Sequence, residues 1–314
     1  MLAIVAPGQG AQSPQMLSTW LEDSRSEELL ENMSKYVGLN LSELGTNSSS
    51  EEIKNTEISQ PLIICASLLT SELLDFDDLP IDRNACIVAG HSVGEFAAAK
   101  LAKALDLKTA LELVAARGKA MGIAASNHSE TGMIAVLGGE KNIVMKEILK
   151  AGLVPANVNA NGQIVAAGEM SKLENLSQNP PAGTRVRPLD VSAAFHTPFM
   201  TSAKENLIQY FESKTFNTLE IQMISNRDGE FISGPQDLKA RLLSQIDSPV
   251  RWDLCQSKFK EIGVTGLLEL APAGVLTGIA KRELPDIETF AIKSLSDIEP
   301  AQEFIMTHAK AVVK

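Results

Sequence analysis

A short apolar run, Cys86–Ala89, passes without a spacer into Gly90-His91-Ser92-Val93-Gly94 and then into the Ala-rich segment Glu95–Leu105. A run of strand type followed at once by strong helix formers reads as strand, sharp turn and helix. The pentapeptide fits G-x-S-x-G, the nucleophile elbow. Its glycines have a physical reason. A strand that turns directly into a helix packs backbone against backbone and holds the serine at strained dihedrals, with Oγ presented at the edge of the sheet. The unit commits the chain to an α/β fold with a hydrolase-like parallel sheet.

The flanking pattern agrees. Leu2–Ala6 reads as a buried strand closed by Pro7-Gly8, polar helical patterns run from about Pro14 to Tyr36, and a Ser-rich loop spans Thr46–Glu52. A long helix is expected over Glu57–Phe76, with Pro61 tolerated in its first turn. A second follows Asp106, a plausible N-cap, over about Lys108–Met121. After a linker at Ser126–Gly132 the pattern changes to a strand–helix–strand–strand–helix–strand series: Met133–Leu137, Lys141–Ala151, Val154–Val158, Ile164–Ala167, Lys172–Gln178 and Arg185–Val191. Two such halves imply a small ferredoxin-like α+β insert at residues 128–197, so that residues 1–127 and 198–314 form the large subdomain. A strand near Ile221–Ser225, helices at Gln236–Gln245 and Asp253–Ile262, and a last buried strand at Gly266–Glu269 complete the expectation.

Composition excludes several classes. Of 314 residues, 39 are acidic and 28 are Lys or Arg, a net charge of −11 that disfavours general nucleic-acid binding. Cys65, Cys86 and Cys255 have no paired spacing, which argues against a disulfide framework and a zinc site. The N-terminus has no basic n-region and its apolar run stops at Pro7, and Pro61–Leu74 is too short and polar to span a bilayer. These features suggest a cytoplasmic protein.

A serine nucleophile needs a base, and there are four histidines. His91 would point away from Ser92 Oγ at a sharp turn, His128 lies in the linker and His308 near the end of the chain. His196, in Ala193-Ala194-Phe195-His196-Thr197-Pro198, sits where the insert rejoins the large subdomain, and is the favoured base. Arg117 shares its helical face with Leu113, Val114, Ala120 and Met121, so its guanidinium is expensive to bury without an anion. Either a structural carboxylate or a carboxylate-bearing substrate would meet that need. Gly8-Gln9-Gly10-Ala11-Gln12 fails as a dinucleotide fingerprint because Ser13 stands where the last glycine belongs. Beside the elbow, the same loop suits the second donor of an oxyanion hole, with the Val93 N–H as the first. More than a hundred residues follow His196, an order unlike that of ordinary α/β-hydrolases.

Gly8–Gln12, the elbow with Glu95, Arg117-Gly118, Phe195-His196-Thr197-Pro198, and Gln245 with Pro249-Val250-Arg251-Trp252 together resemble the malonyl-CoA:acyl carrier protein transacylase family over essentially the whole chain. The resemblance implies a ping-pong acyltransferase of fatty-acid synthesis. Ser92 would take the malonyl group while His196 accepts its proton, and the N–H groups of Gln9 and Val93 would hold the oxyanion. Arg117 would clamp the malonyl carboxylate, and a backbone carbonyl near Gln245 would orient His196. Phe195, Gln60 and Asn157 would lie near the substrate, with the bulk of Phe195 excluding an α-methyl group. Malonyl-CoA and an acyl carrier protein bearing phosphopantetheine are the implied partners; no metal or further cofactor is implied, and a monomer is expected. A polyketide-serving acyltransferase shares these motifs, and a serine thioesterase is the hydrolytic alternative. Ala194, Ala6 and Ala271-Pro272-Ala273 depart from the family pattern at positions away from the proposed reacting atoms.

Carrier proteins of this pathway are acidic, so two negative bodies must meet through a local basic rim. Arg185, Arg187 and Arg251 are its expected members.

Overall fold

Apolar residues fill both faces of the first strand, β1 (Leu2–Ala6): Leu2, Ile4 and Ala6 enter one core, Ala3 and Val5 another. The next strand, β2 (Cys86–Gly90), divides its side chains the same way, as a strand covered on both sides must. The computed structural model describes residues 1–310. Along it follow β3 (Thr131–Gly138), β4 (Val154–Ala160), β5 (Gln163–Glu169), β6 (Thr184–Pro188), β7 (Gln222–Ile224), β8 (Gly266–Glu269) and β9 (Glu288–Ala291).

Five of these strands form a parallel sheet in the order β7-β2-β1-β8-β9. Helices Thr56–Leu73, Gly94–Leu101 and Leu107–Ser126 contribute to one core, and helices Trp252–Glu261 and Val275–Glu283 to the other. The remaining four make an antiparallel sheet in the order β4-β5-β3-β6. With helices after its first and third strands, that is the ferredoxin-like arrangement, packed around its own core of Ile134, Val136, Ile148, Val158 and Ile164. A parallel bridge fastens the small sheet to the large subdomain. The Val158 N–H donates to the Val250 carbonyl at 2.9 Å, and the Val250 N–H to the Ala156 carbonyl at 2.8 Å. Asn157, between these bonds, is thereby fixed facing the cleft.

Several elements depart from the pattern reading for local reasons. The helix at the elbow ends at Leu101 because Lys103 takes a left-handed φ of 60°, and Thr56–Leu73 stops short of Phe76, with Asp75 at 46°. Residues 14–19 form turns, with Gln15 at φ 62°, a single 3-10 turn covers Trp20–Glu22, and an α-helix begins only at Ser24, capped by Asp23. Asp106 does cap the next helix, accepting the Thr109 N–H at 2.7 Å, but that helix runs on to Ser126. Gly266–Glu269 is not the last strand: β9 follows it at the sheet edge. Its residues are exposed or half-buried, so it lacks the apolar run that marks a central strand. Helices Leu41–Asn47 and Val275–Glu283 also lay outside that reading.

Candidate active site

The elbow admits no side chain at its glycines. A Cβ on Gly90 would lie 1.9 Å from the Gly94 backbone, and one on Gly94 would lie 2.2 Å from the Ala6 carbonyl oxygen. That close approach holds Ser92 at φ 52°, a left-handed conformation costly for a residue with a Cβ. Ser92 is 7% exposed, at the floor of a cleft of about 520 Å³ between the two sheets. Gln9, Gln60, His91, Asn157, Phe195 and His196 are among its walls.

His196 Nε2 stands 2.8 Å from Ser92 Oγ, and its Nδ1 stands 2.8 Å from the Gln245 carbonyl oxygen. A carbonyl can only accept, so Nδ1 carries the hydrogen and Nε2 is left free to accept the serine proton. No carboxylate lies within ion-pair distance of the imidazole among the described residues. The ring is held by a turn in which His196 itself has φ 59° and the Thr197 hydroxyl donates to the Ala194 carbonyl at 2.6 Å. Burial, together with the positive field of Arg117, pushes the His196 pKa down to about 3, so the ring is neutral near pH 7.

Arg117 is wholly buried. Its Nη1 donates to Gln60 Oε1 at 2.6 Å, and its Nη2 to Gln245 Oε1 at 3.0 Å and to Ser92 Oγ at 3.3 Å. The structural-carboxylate alternative fails, because no Asp or Glu pairs with it among the described residues, and Nε donates to nothing there. Burial draws its pKa down to about 10, leaving the guanidinium charged. A cation therefore sits beside Ser92 Oγ with only neutral hydrogen-bond partners, an arrangement suited to an acyl group that carries its own negative charge.

The backbone N–H groups of Gln9 and Val93 have no acceptor among the described residues. Gln9 borders the cleft, and Val93 follows the serine at the start of the helix Gly94–Leu101, whose dipole also favours an anion. The other histidines are engaged elsewhere. His91 lines the cleft but pairs through Nε2 with Asn159 Oδ1 at 2.8 Å, His128 packs against Phe199, and His308 meets Thr265 Oγ1 at 3.0 Å.

Two residues behind the serine escaped the pattern reading. Asn226 bonds to the elbow from the carboxyl end of β7, and Glu95, read only as part of a motif, is buried against Asn226 and Gln245. A polar turn, Ser225–Gly229, after a parallel strand was the available signal. The rim also needs correction. Arg251 forms a two-point pair with Asp253, at 2.9 and 3.0 Å, and is not a free cation. Arg185 and Arg187 are exposed and unpaired among the described residues. They lie opposite Leu137 and Ala135, on the sheet face whose Ala135 lines the cleft.

The family model described as the acyl transferase domain matches residues 4–302. A malonyl CoA-acyl carrier protein transacylase of Mycobacterium tuberculosis is 42% identical over 299 residues, covering 95% of this chain and 98% of the relative. The crystal structure of MCAT from the same organism superposes with a TM-score of 0.91 at 42% identity, over 96% of this chain and 99% of that one. A malonyl-transacylase solved in complex with its type II PKS acyl-carrier protein gives a TM-score of 0.88 at 28% identity, over 96% and 99%.

Proposed function

The chain belongs to the acyl transferase family, and from that premise we propose that it transfers the malonyl group of malonyl-CoA to the phosphopantetheine thiol of an acyl carrier protein. The observation that carries this reading is the meeting of three groups at one atom: Ser92 Oγ lies 2.8 Å from the His196 imidazole and 3.3 Å from the Arg117 guanidinium.

Each residue then has a role. Arg117 takes the malonyl carboxylate, with Gln60 and Gln245 giving up their bonds to its fork or adjusting around the incoming oxygens. Ser92 Oγ attacks the thioester carbonyl as its proton passes to His196 Nε2. The oxyanion is met by the N–H groups of Gln9 and Val93; one such donor is typically worth about a hundredfold or more in rate. When the C–S bond breaks, coenzyme A leaves with the proton from His196. The carrier's thiol next gives its proton to His196 and attacks the malonyl ester, and Ser92 recovers a proton as the new thioester forms. Phe195 and Asn157 shape the wall around the acyl group and its pantetheine arm. The Gln245 carbonyl keeps His196 in the accepting tautomer throughout. No metal or further cofactor has a part in these steps.

In this reading the large subdomain, residues 1–127 and 198–314, supplies the nucleophile Ser92, the Arg117 cation and the Gln245 carbonyl, and the insert, 128–197, supplies the base His196 at its end together with the opposite wall and the carrier rim. The enzyme acts as a monomer in the cytoplasm, in fatty-acid synthesis; among the described residues no helix is long and apolar enough to cross a membrane. Service to a polyketide synthase is a second reading, favoured by the likeness to the transacylase in the PKS complex. Labelled malonyl-CoA with and without holo carrier protein tests the proposal. Label should move to the carrier and, without it, to the wild-type protein but not to Ser92→Ala, as read by intact mass. Release of free malonate as the main product would make the chain a thioesterase instead.

A further inference from the structure

Ser92 is held from behind by groups that do not line the cleft. Asn226 Oδ1 accepts the Ser92 N–H at 2.7 Å, and Asn226 Nδ2 donates to the Gly90 carbonyl at 2.7 Å. One carboxamide thus spans the elbow, bonding the strand end before His91 and the nucleophile after it. A second carboxamide, that of Gln245, donates Nε2–H to the Ser92 carbonyl at 3.1 Å. Glu95 joins the two: Oε1 accepts the Asn226 N–H at 2.6 Å, and Oε2 accepts from Gln245 Nε2. The Asn226 carbonyl in turn receives the Arg251 N–H at 2.8 Å. Asn226 is wholly buried, Glu95 is 1% exposed, and neither lines the cleft.

We propose that Asn226 is a positioning residue for the nucleophile: its side chain clamps Gly90 and Ser92 so that the serine keeps its left-handed backbone with Oγ in line with His196. The inference rests on Ser92 being the nucleophile. A φ of 52° is unfavourable for serine and persists only where the surroundings over-determine it. The glycine contacts forbid a different packing of strand against helix, yet they make no bond to the Ser92 peptide. The Asn226 carboxamide does, with its donor and its acceptor both used on the elbow. Without it the Ser92 N–H and the Gly90 carbonyl lose their partners, and Oγ is free to drift from the 2.8 Å contact on which proton transfer depends.

Asn226→Ala and the nearly isosteric Asn226→Asp test this. Asp keeps an acceptor for the Ser92 N–H but, when ionised, offers Gly90 no donor. Each variant is compared with wild type for kcat and KM with malonyl-CoA, for the rate of Ser92 labelling by an uncharged serine-directed phosphonate, and for its thermal midpoint. The expected result is a labelling rate and kcat lower by about tenfold or more, with KM within about threefold, in protein that still melts cooperatively. A wild-type labelling rate in either variant, or a loss that merely follows the folded fraction, overturns the proposal. The wild-type acyl-enzyme control separates the two levels: if malonyl-CoA leaves no malonyl group on Ser92, the proposed reaction itself is wrong.

Discussion

Arg117 and Glu95 share one buried polar network without touching: Gln245 stands between them, accepting from the guanidinium at 3.0 Å and donating to the carboxylate. The interposed amide matters for chemistry. A direct pair would satisfy the guanidinium within the protein and set the substrate's carboxylate against a resident one. Separated by an amide, Glu95 helps keep Arg117 charged through space against the cost of burial and leaves its Nη atoms bonded to neutral groups.

Replacing Arg117 with Ala should cost selectivity more than acyl transfer. Loss of one member of a buried, hydrogen-bonded charge pair is worth about 3 kcal/mol or more, so kcat/KM for malonyl-CoA relative to acetyl-CoA should fall by about a hundredfold or more. An unchanged ratio, measured by competition between the two thioesters, would refute the clamp.

The same cation lowers the pKa of His196, the proposed base. Burial is the larger cause of the low His196 pKa and the Arg117 charge the next, so removing that charge as Arg117→Met should raise the His196 pKa. Protonation disables the base as pH falls. The acid limb of Ser92 labelling by an uncharged phosphonate should therefore move to higher pH in the variant. Coincident limbs in the two proteins would show that the field of Arg117 does not reach the imidazole. A malonyl carboxylate on Arg117 acts with the same sign, making His196 a stronger base once substrate is bound.

How much of this could be read without coordinates follows from where the constraints act. The strand-turn-helix at Ser92 was legible because its cause is local: three elements meet within a few residues, and only glycine fits at Gly90 and Gly94. The burial of Arg117 was legible from helical periodicity. His196 was found by elimination, whereas its tautomer depends on a carbonyl 49 residues away. Asn226 was invisible for the same reason. Its bonds to Gly90 and Ser92 span 136 and 134 positions, and no local pattern distinguishes it from an ordinary turn asparagine. The edge strand β9 and the Arg251–Asp253 pair were missed because partial burial and side-chain pairing leave no periodic trace.

Glu95 should make stability fall as pH rises. Burial lifts its pKa from an ordinary 4.5 to about 7, so the native state holds the proton more tightly than the unfolded chain. Its favourable contribution is complete below about pH 4.5 and is lost by about pH 7, some 3 kcal/mol in all. His196 runs the other way between about pH 3 and 6.5, but it is common to wild type and Glu95→Gln and cancels in their difference. Urea unfolding at pH 5 and pH 8 should show Glu95→Gln gaining on wild type at the higher pH, whatever fixed penalty its amide brings. A constant difference would place the Glu95 pKa near its ordinary value.

Phe195 is 5% exposed and forms part of the cleft wall. Phe195→Ser opens space beside the acyl group and should admit an α-methyl substituent, raising methylmalonyl transfer relative to malonyl by about tenfold, the scale of one methyl group in an apolar pocket. If methylmalonyl transfer stays unmeasurable, another residue sets the limit.

Arg185 and Arg187 should govern the second half-reaction alone. They are exposed on the cleft-side face of β6 and carry no ion pair among the described residues, so their charge is available to an acidic carrier that the −11 of the whole chain would otherwise repel. Reversing both to Glu should raise KM for the carrier by about tenfold or more at low salt, at about 1 kcal/mol for each rim charge, while the rate of malonyl loading onto Ser92 stays unchanged. Added salt should narrow the gap, because exposed charges are screened over about 10 Å at 0.1 M. Arg251→Glu should behave differently. It sets a second carboxylate against Asp253, already paired with Lys141 at 3.0 Å, and should lower the thermal midpoint without a selective effect on the carrier. An unaltered carrier KM in the Arg185→Glu, Arg187→Glu double variant at low salt would move the docking surface away from β6.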